Sequence, residues 1–144
     1  MTIKEAQTEL LDDLSIFQDW TERYEYVISL GKKLPPMEES AKSADKLIQG
    51  CQSQVWLDAE KQDGSENKII YHADSDSLIT KGMIALFIHT LSGQPAEDIL
   101  TADMTFIDQT GLKEHLAPTR ANALNLMAAQ MKKLALELSM NNEQ

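Results

Sequence analysis

Residues 54–73 have the sequence QVWLDAEKQDGSENKIIYHA, and this stretch decides the fold. From Val55 to Ala59 every second residue is aliphatic, which is typical of a strand with one buried face. A second strand-like run extends from Lys68 to Ala73, and the turn-forming residues Asp63-Gly64-Ser65 lie between the two runs. The stretch therefore predicts an antiparallel β-hairpin.

Two amphipathic helices are predicted before the hairpin. Apolar residues recur at helical spacing from Ile3 to Phe17, with acidic residues on the opposite side. Asp19 and Glu22 have the spacing of a capping box, so they predict that the second helix starts at Trp20. Gly31 is predicted to end this helix, because glycine is common just after the last helical turn.

A central core helix is predicted after the hairpin. Residues 78–91 carry a broad apolar stripe that begins at Leu78. Gly82 lies inside this stripe, where glycine weakens a helix, and it indicates a close approach of another backbone or a ligand. The run Asp74-Ser75-Asp76-Ser77 precedes the helix and offers several N-cap candidates. We favour Asp74 and Asp76, because aspartate is among the preferred capping residues.

The remaining segments complete the predicted architecture. Short helical turns are expected within residues 96–116, with an interruption at Gly111, and Pro118 opens a long C-terminal helix. Two strands flanked by helices predict an α+β fold with a small antiparallel sheet. A third short strand is expected near Leu47-Ile48, because an isolated hairpin is only marginally stable. The length predicts a single domain over residues 1–144.

The charge balance is acidic and disfavours several function classes. The chain has 23 acidic and 13 basic residues, which gives a formal net charge of −10. Such a chain repels nucleic-acid phosphates and anionic membrane surfaces, so neither is an expected partner. No stretch approaches the ~20 apolar residues of a membrane span, and the first residues lack the pattern of a secretory signal. A cytoplasmic location is therefore expected.

Cys51 is the only cysteine, and it lies in the segment Gly50-Cys51-Gln52-Ser53-Gln54. With no second thiol, the chain forms no intramolecular disulfide, and any sulfur chemistry depends on a single Sγ atom. A lone cysteine is often an inert, buried apolar residue, and that interpretation stays open. The polar neighbours and the position at the edge of a strand favour a reactive thiol.

Three histidines raise a competing hypothesis. With His72, His89 or His115 as a base, Cys51 would be the nucleophile of a standalone thiol hydrolase or transferase. No local signature links any of them to Cys51, and the spacing of the four residues matches no known pattern of metal ligands, so no metal is expected. A third hypothesis is a non-catalytic interaction domain whose acidic surface binds a basic partner.

Several motifs together resemble one known family. Gly50-Cys51-Gln52-Ser53-Gln54-Val55-Trp56 is followed by Asp74-Ser75-Asp76, by Lys81-Gly82 and by Leu116-Ala117-Pro118-Thr119-Arg120. In this order they resemble the SufE family of sulfur acceptors, which includes the CsdE proteins. The similarity extends along nearly the whole chain, including the segment from Trp20 to Pro35.

The resemblance implies a cytoplasmic partner of a pyridoxal-phosphate cysteine desulfurase of the SufS or CsdA type. Cys51 stands where the family's acceptor cysteine stands. It would take a sulfane sulfur from the desulfurase's persulfide and pass it to an iron–sulfur scaffold of the SufBCD type. The pyridoxal phosphate belongs to the desulfurase, so this chain is expected to hold no cofactor. The implied fold is similar to that of the IscU-type scaffold, and either a monomer or a homodimer is compatible with the sequence.

The resemblance also suggests roles for the residues around Cys51. Gly50 and Gln52–Gln54 would shape a loop that shields the thiol until a partner engages it. Arg120 would stabilise thiolate and persulfide anions if its helix packs near this loop. An alternative to the capping role of Asp74 and Asp76 is that they orient the ammonium group of Lys81, a residue that we expect on the surface or in docking rather than as a base.

Overall fold

The computed structural model of the chain describes residues 1–64 and 67–141. These residues form helices around a three-stranded antiparallel sheet, which confirms the α+β prediction. In chain order the elements are α1 (Ile3–Ser15), α2 (Trp20–Lys32), β1 (Val55–Lys61), β2 (Lys68–Ser75), α3 (Leu78–Leu91), β3 (Gln94–Pro95), α4 (Ala96–Thr101), α5 (Phe106–Thr110), α6 (Leu112–His115) and α7 (Pro118–Asn141). Ser65 of the predicted turn and most of the predicted polar tail lie outside the described residues.

The predicted hairpin is confirmed, but the third strand lies elsewhere. β1 and β2 pair along their whole length, with Val55 opposite Ser75. The expected strand at Leu47-Ile48 is wrong, because Leu47 forms only an isolated bridge to Trp56 before the chain turns at Gly50. The third strand is β3, which follows α3 and pairs with the start of β2 on its other edge.

The helix starts depend on side chains that accept backbone hydrogen bonds. Asp19 caps α2 by accepting from the Glu22 N–H at 2.9 Å, as half of the predicted capping box. A complete box, which was not predicted, caps α1, where the Thr2 and Glu5 side chains accept from each other's backbone N–H groups at 3.1 and 2.9 Å. The preference for Asp74 and Asp76 as the cap of α3 is wrong, since Ser77, the last residue of the same candidate run, accepts from the Thr80 N–H.

Gly31 and Gly82 bring the backbones of α2 and α3 into contact. The prediction that α2 ends at Gly31 is wrong, because the helix continues to Lys32 and Gly31 is buried inside it. A Cβ atom on Gly31 would lie 2.6 Å from the Gly82 nitrogen, and a Cβ atom on Gly82 would collide with the Val27 carbonyl oxygen. The predicted close approach at Gly82 is therefore confirmed, and its partner is another helix.

The core lies between α3, the inner face of the sheet and α7. Buried side chains from these three elements include Val55, Leu57, Ile69, Tyr71, Met83, Leu86, Phe87, Leu124, Met127 and Met131. The Tyr71 hydroxyl donates to the Met131 carbonyl oxygen at 2.6 Å, which ties the sheet to α7. Leu78 departs from the predicted apolar stripe of α3, because its side chain is 60% exposed.

Candidate functional site

Cys51 lies on the loop that leads into β1, and the base of this loop is fixed to the sheet. The Ile48 N–H donates to the Val55 carbonyl oxygen at 2.9 Å, which closes the loop over residues 49–54. Gly50 has a φ of +91°, a conformation that favours glycine. A Cβ atom at this position would also lie 2.9 Å from Cδ1 of Leu126, so the loop packs directly on α7.

The junction between β2 and α3 clamps the end of the loop. The Gln54 N–H donates to Oδ1 of Asp76 at 3.0 Å, and the Asp76 N–H donates back to the Gln54 carbonyl oxygen at 3.3 Å. The Ser75 hydroxyl donates to the same carbonyl at 2.7 Å. Asp76 therefore holds the loop instead of capping α3, and this corrects the first interpretation of that residue.

The first turn of α7 contacts the loop from the other side. The Thr119 hydroxyl donates to Oε1 of Gln52 at 3.2 Å. Arg120 is the next residue, and its side chain is exposed. Ser53 is half-buried between Gln52 and Gln54, which are both exposed. The structure thus brings the predicted loop residues and the start of α7 together, as the resemblance implied.

The Cys51 thiol is half-buried and packs against the hydrophobic core. Burial raises the pKa of this thiol, because the charged thiolate loses solvation. Within residues 1–64 and 67–141, no charged group offsets that effect. In this conformation burial favours the neutral thiol over the thiolate.

Asp74 directly precedes Ser75 and Asp76, the residues that hold the loop, and it forms a buried ionic cluster with two lysines. Its carboxylate lies 3.3 Å from the ammonium groups of both Lys42 and Lys81 and accepts from the N–H groups of Met37 and Ser75 at 3.1 and 2.8 Å. Burial acts to raise the pKa of Asp74, but the two backbone hydrogen bonds and the bond from Lys81 outweigh it and lower that pKa. Of the two aspartates that the alternative paired with Lys81, Asp74 contacts its ammonium group, whereas Asp76 bonds the Gln54 N–H instead.

This cluster fixes the segment that precedes the Cys51 loop. The Lys42 ammonium also lies 5.1 Å from the centroid of the Trp56 ring, and the Lys46 ammonium lies 2.8 Å from Oδ1 of Asp58. Both contacts are with the outer face of β1. Sequence reasoning missed these lysine contacts, because the partners are far apart along the chain.

The histidines are engaged away from Cys51. His72 contacts Glu60 at 3.3 Å on the sheet, His89 contacts Glu9 at 3.2 Å between α3 and α1, and His115 stacks on Trp20 with 3.8 Å between ring centroids. In the described part of the chain no hydrogen bond joins a histidine to Cys51, and no three His, Cys, Asp or Glu side chains cluster as metal ligands. The geometry therefore gives the Cys–His enzyme hypothesis no support.

No helix in the described residues is both long enough and apolar enough to span a bilayer.

The fold and the site define a class of α+β protein with one half-buried cysteine on a clamped loop. The chain belongs to the SufE family, because the family model described as "SufE: Fe-S metabolism associated domain" matches residues 8–135. The protein is accordingly associated with iron–sulfur metabolism.

Relatives of known name agree with this assignment. An uncharacterized SufE-like protein of Rhizobium etli is 36% identical over 88% of this chain and 87% of its own length. An uncharacterized SufE-like protein of a Synechocystis strain is 43% identical over 72% of this chain and 64% of its own length. The SufE-like protein 1, chloroplastic/mitochondrial, of Arabidopsis thaliana is 37% identical over 99% of this chain, which spans 38% of that protein.

A solved structure supports the fold. The solution structure of a hypothetical protein from Thermus thermophilus superimposes with a TM-score of 0.75 and covers 94% of this chain and 96% of that one. The two sequences are 17% identical, so this likeness concerns the architecture alone.

Proposed function

We propose that this protein is a cytoplasmic sulfur carrier. It takes persulfide sulfur from a pyridoxal-phosphate cysteine desulfurase onto Cys51, stimulates that enzyme, and passes the sulfur to an iron–sulfur scaffold of the SufBCD type. Membership of the SufE family implies an interaction with a cysteine desulfurase. The observation that carries the proposal is the placement of the only cysteine on a loop that a few reversible hydrogen bonds hold against the core.

The transfer step needs no external oxidant or reductant. The Cys51 thiolate attacks the outer sulfur of the donor's cysteine persulfide, and a new S–S bond forms as the donor's own S–S bond breaks. The donor cysteine leaves as a thiolate, which takes up the proton that Cys51 lost, and Cys51 becomes the persulfide. The same exchange in the next complex returns Cys51 to the thiol.

The resting conformation suits storage better than attack. Because burial raises the pKa of the Cys51 thiol, the free protein holds little thiolate at neutral pH. Partner binding would release the loop by replacing the bonds from Gln54 and Thr119, each of which contributes roughly 1 kcal/mol. The exposed guanidinium of Arg120 would then be available to stabilise the persulfide anion, since its neighbour Thr119 already contacts the loop.

Removing the clamp is expected to expose Cys51. In Asp76→Ala the Gln54 N–H loses its carboxylate acceptor. A loss of about 1 kcal/mol raises the population of open loops about fivefold. The rate of Cys51 alkylation by iodoacetamide at pH 7.5 should rise by the same factor. Asp63→Ala is the matched control, because Asp63 lies at the opposite end of the hairpin and its variant should react like the wild type. An unchanged rate in Asp76→Ala would show that the carboxylate does not restrain the loop.

The pH dependence of alkylation measures the pKa of the Cys51 thiol in the free protein. In the free protein the midpoint should lie above that of an unburied cysteine, because burial disfavours the thiolate, and reactivity should grow as the pH rises. Arg120→Ala should have the same midpoint, because burial is the cause of the shift. A midpoint below that of an unburied cysteine, or a clear upward shift in Arg120→Ala, would contradict this description of the resting state.

The function itself is tested by sulfur transfer. The protein is incubated with a purified cysteine desulfurase and L-cysteine, and its intact mass is then measured. An adduct of about 32 Da, the mass of one sulfur atom, on Cys51 supports the carrier function. If the wild-type protein acquires no sulfur while the desulfurase turns over, the proposal is wrong.

A further inference from the structure

Leu78 is an exposed leucine beside the candidate site. Large apolar side chains that are exposed in the described residues are Met1, Ile16, Leu78, Leu136 and Met140. Met1 and Ile16 flank α1, and the last two lie in the C-terminal part of α7. Leu136 follows Thr119 by 17 helical residues, which is roughly 25 Å along the axis. Leu78 is the member of this set that directly follows the hydrogen-bonded junction between β2 and α3, which clamps the Cys51 loop.

Hydrogen bonds connect the position of Leu78 to that loop. Leu78 is the first residue of α3 and directly follows the N-cap Ser77. The Ser77 N–H donates to the Ser75 hydroxyl at 3.2 Å, and that hydroxyl donates to the Gln54 carbonyl oxygen. The start of α3 and the end of the loop thus form one bonded unit.

Folding does not account for a leucine at this position. The side chain is 60% exposed, whereas the buried face of α3 begins at Thr80. The first turn of a helix favours polar or acidic residues, which complement its unpaired N–H groups and its dipole. A residue that breaks the local preference beside a candidate site is a feature expected of binding surfaces.

We propose that Leu78 is the apolar contact through which the sulfur-donating protein docks beside Cys51. This inference rests on the proposed function, because transfer requires the donor's persulfide to reach a half-buried Sγ atom. The donor's surface must then cover the residues that flank the loop, and these include the exposed start of α3. The partner is thus a cysteine desulfurase that presents an apolar recess to Leu78.

Substitution of Leu78 is expected to weaken docking without changing the transfer step. Leu78→Ser should raise the Kd for a purified cysteine desulfurase, and the half-saturating concentration in sulfur transfer, about tenfold, which corresponds to ~1.4 kcal/mol. Transfer at saturation and Cys51 alkylation in the free protein should match the wild type. Leu78→Met should stay within about twofold, because methionine has a similar apolar volume. Leu136→Ser is the matched control and should bind like the wild type.

The outcomes separate this inference from the function on which it rests. If the wild type accepts sulfur but Leu78→Ser binds equally well, or if Leu136→Ser loses the same affinity, Leu78 is not the docking contact. If Leu78→Ser instead changes only the self-association of this chain in sedimentation, Leu78 contacts a second copy of the chain and not the desulfurase. That result overturns the inference. If the wild type accepts no sulfur at all, the proposed function fails, and this inference fails with it.

Discussion

Replacing Cys51 with serine is expected to abolish sulfur acceptance. A serine hydroxyl cannot attack a persulfide sulfur at neutral pH, and the chain has no second cysteine to take over. Stimulation of the desulfurase should fall to the level without the protein. Stability should change little, because the half-buried Sγ atom has no hydrogen-bond partner in the described residues that serine would need to replace. The measurement is the rate of L-cysteine turnover by the desulfurase with and without each variant.

The control for this experiment is binding. Cys51→Ser should keep the wild-type Kd for the desulfurase within about twofold, because the exchange of one sulfur for oxygen leaves the surface nearly unchanged. Loss of turnover with retained binding assigns the defect to the transfer step. Stimulation by Cys51→Ser at the wild-type rate would mean that the protein activates the enzyme without carrying sulfur, and the carrier proposal would have to be abandoned.

Replacing Gly82 with alanine is expected to destabilise the fold more than any other substitution proposed for this protein. Alanine increases helix propensity by about 1 kcal/mol, but its Cβ atom would collide with the Val27 carbonyl oxygen, and backbone cannot move aside as a side chain can. The clash should dominate, so the net loss in the free energy of unfolding should be about 2 kcal/mol. Urea denaturation monitored by circular dichroism measures this change.

Gly93→Ala provides the matched comparison. Gly93 has a φ of +84°, and nothing lies within 4 Å of a Cβ atom at that position, so its variant isolates backbone strain from collision. The expected cost is about 1 kcal/mol. If Gly82→Ala were as stable as the wild type, the gain in helix propensity would equal or exceed the cost of the clash. The backbones of α2 and α3 could then not be in contact as described.

Much of the fold was predictable from the periodic spacing of apolar residues. The alternation from Val55 to Ala59 and the helical spacing within 78–91 each reflect many residues that face one core, so these elements were predictable. β3 was not, because Gln94–Pro95 is two residues long and carries no period. Gly31 was misjudged for a related reason: a glycine that ends a helix and a glycine that packs against another helix look alike in one sequence.

Part of the candidate site was likewise predictable from the sequence, and part was not. The single cysteine in a polar loop was recognisable from the sequence, and so was the family resemblance around it. The clamp was not, because aspartates before a helix are usually caps, and only the tertiary structure places Asp76 against the Gln54 N–H. Leu78 was assigned to the core for its spacing, which identifies a helix but does not show where the buried face begins.

The most direct test of the central claim is the intact mass of the wild-type protein after incubation with a cysteine desulfurase and L-cysteine. Thiol blocking before digestion then locates the added sulfur. We expect one extra sulfur, about 32 Da, on the peptide that contains Cys51, and none when L-cysteine is omitted. A wild-type protein that stays at its original mass, or that carries the sulfur on any other residue, would contradict the account.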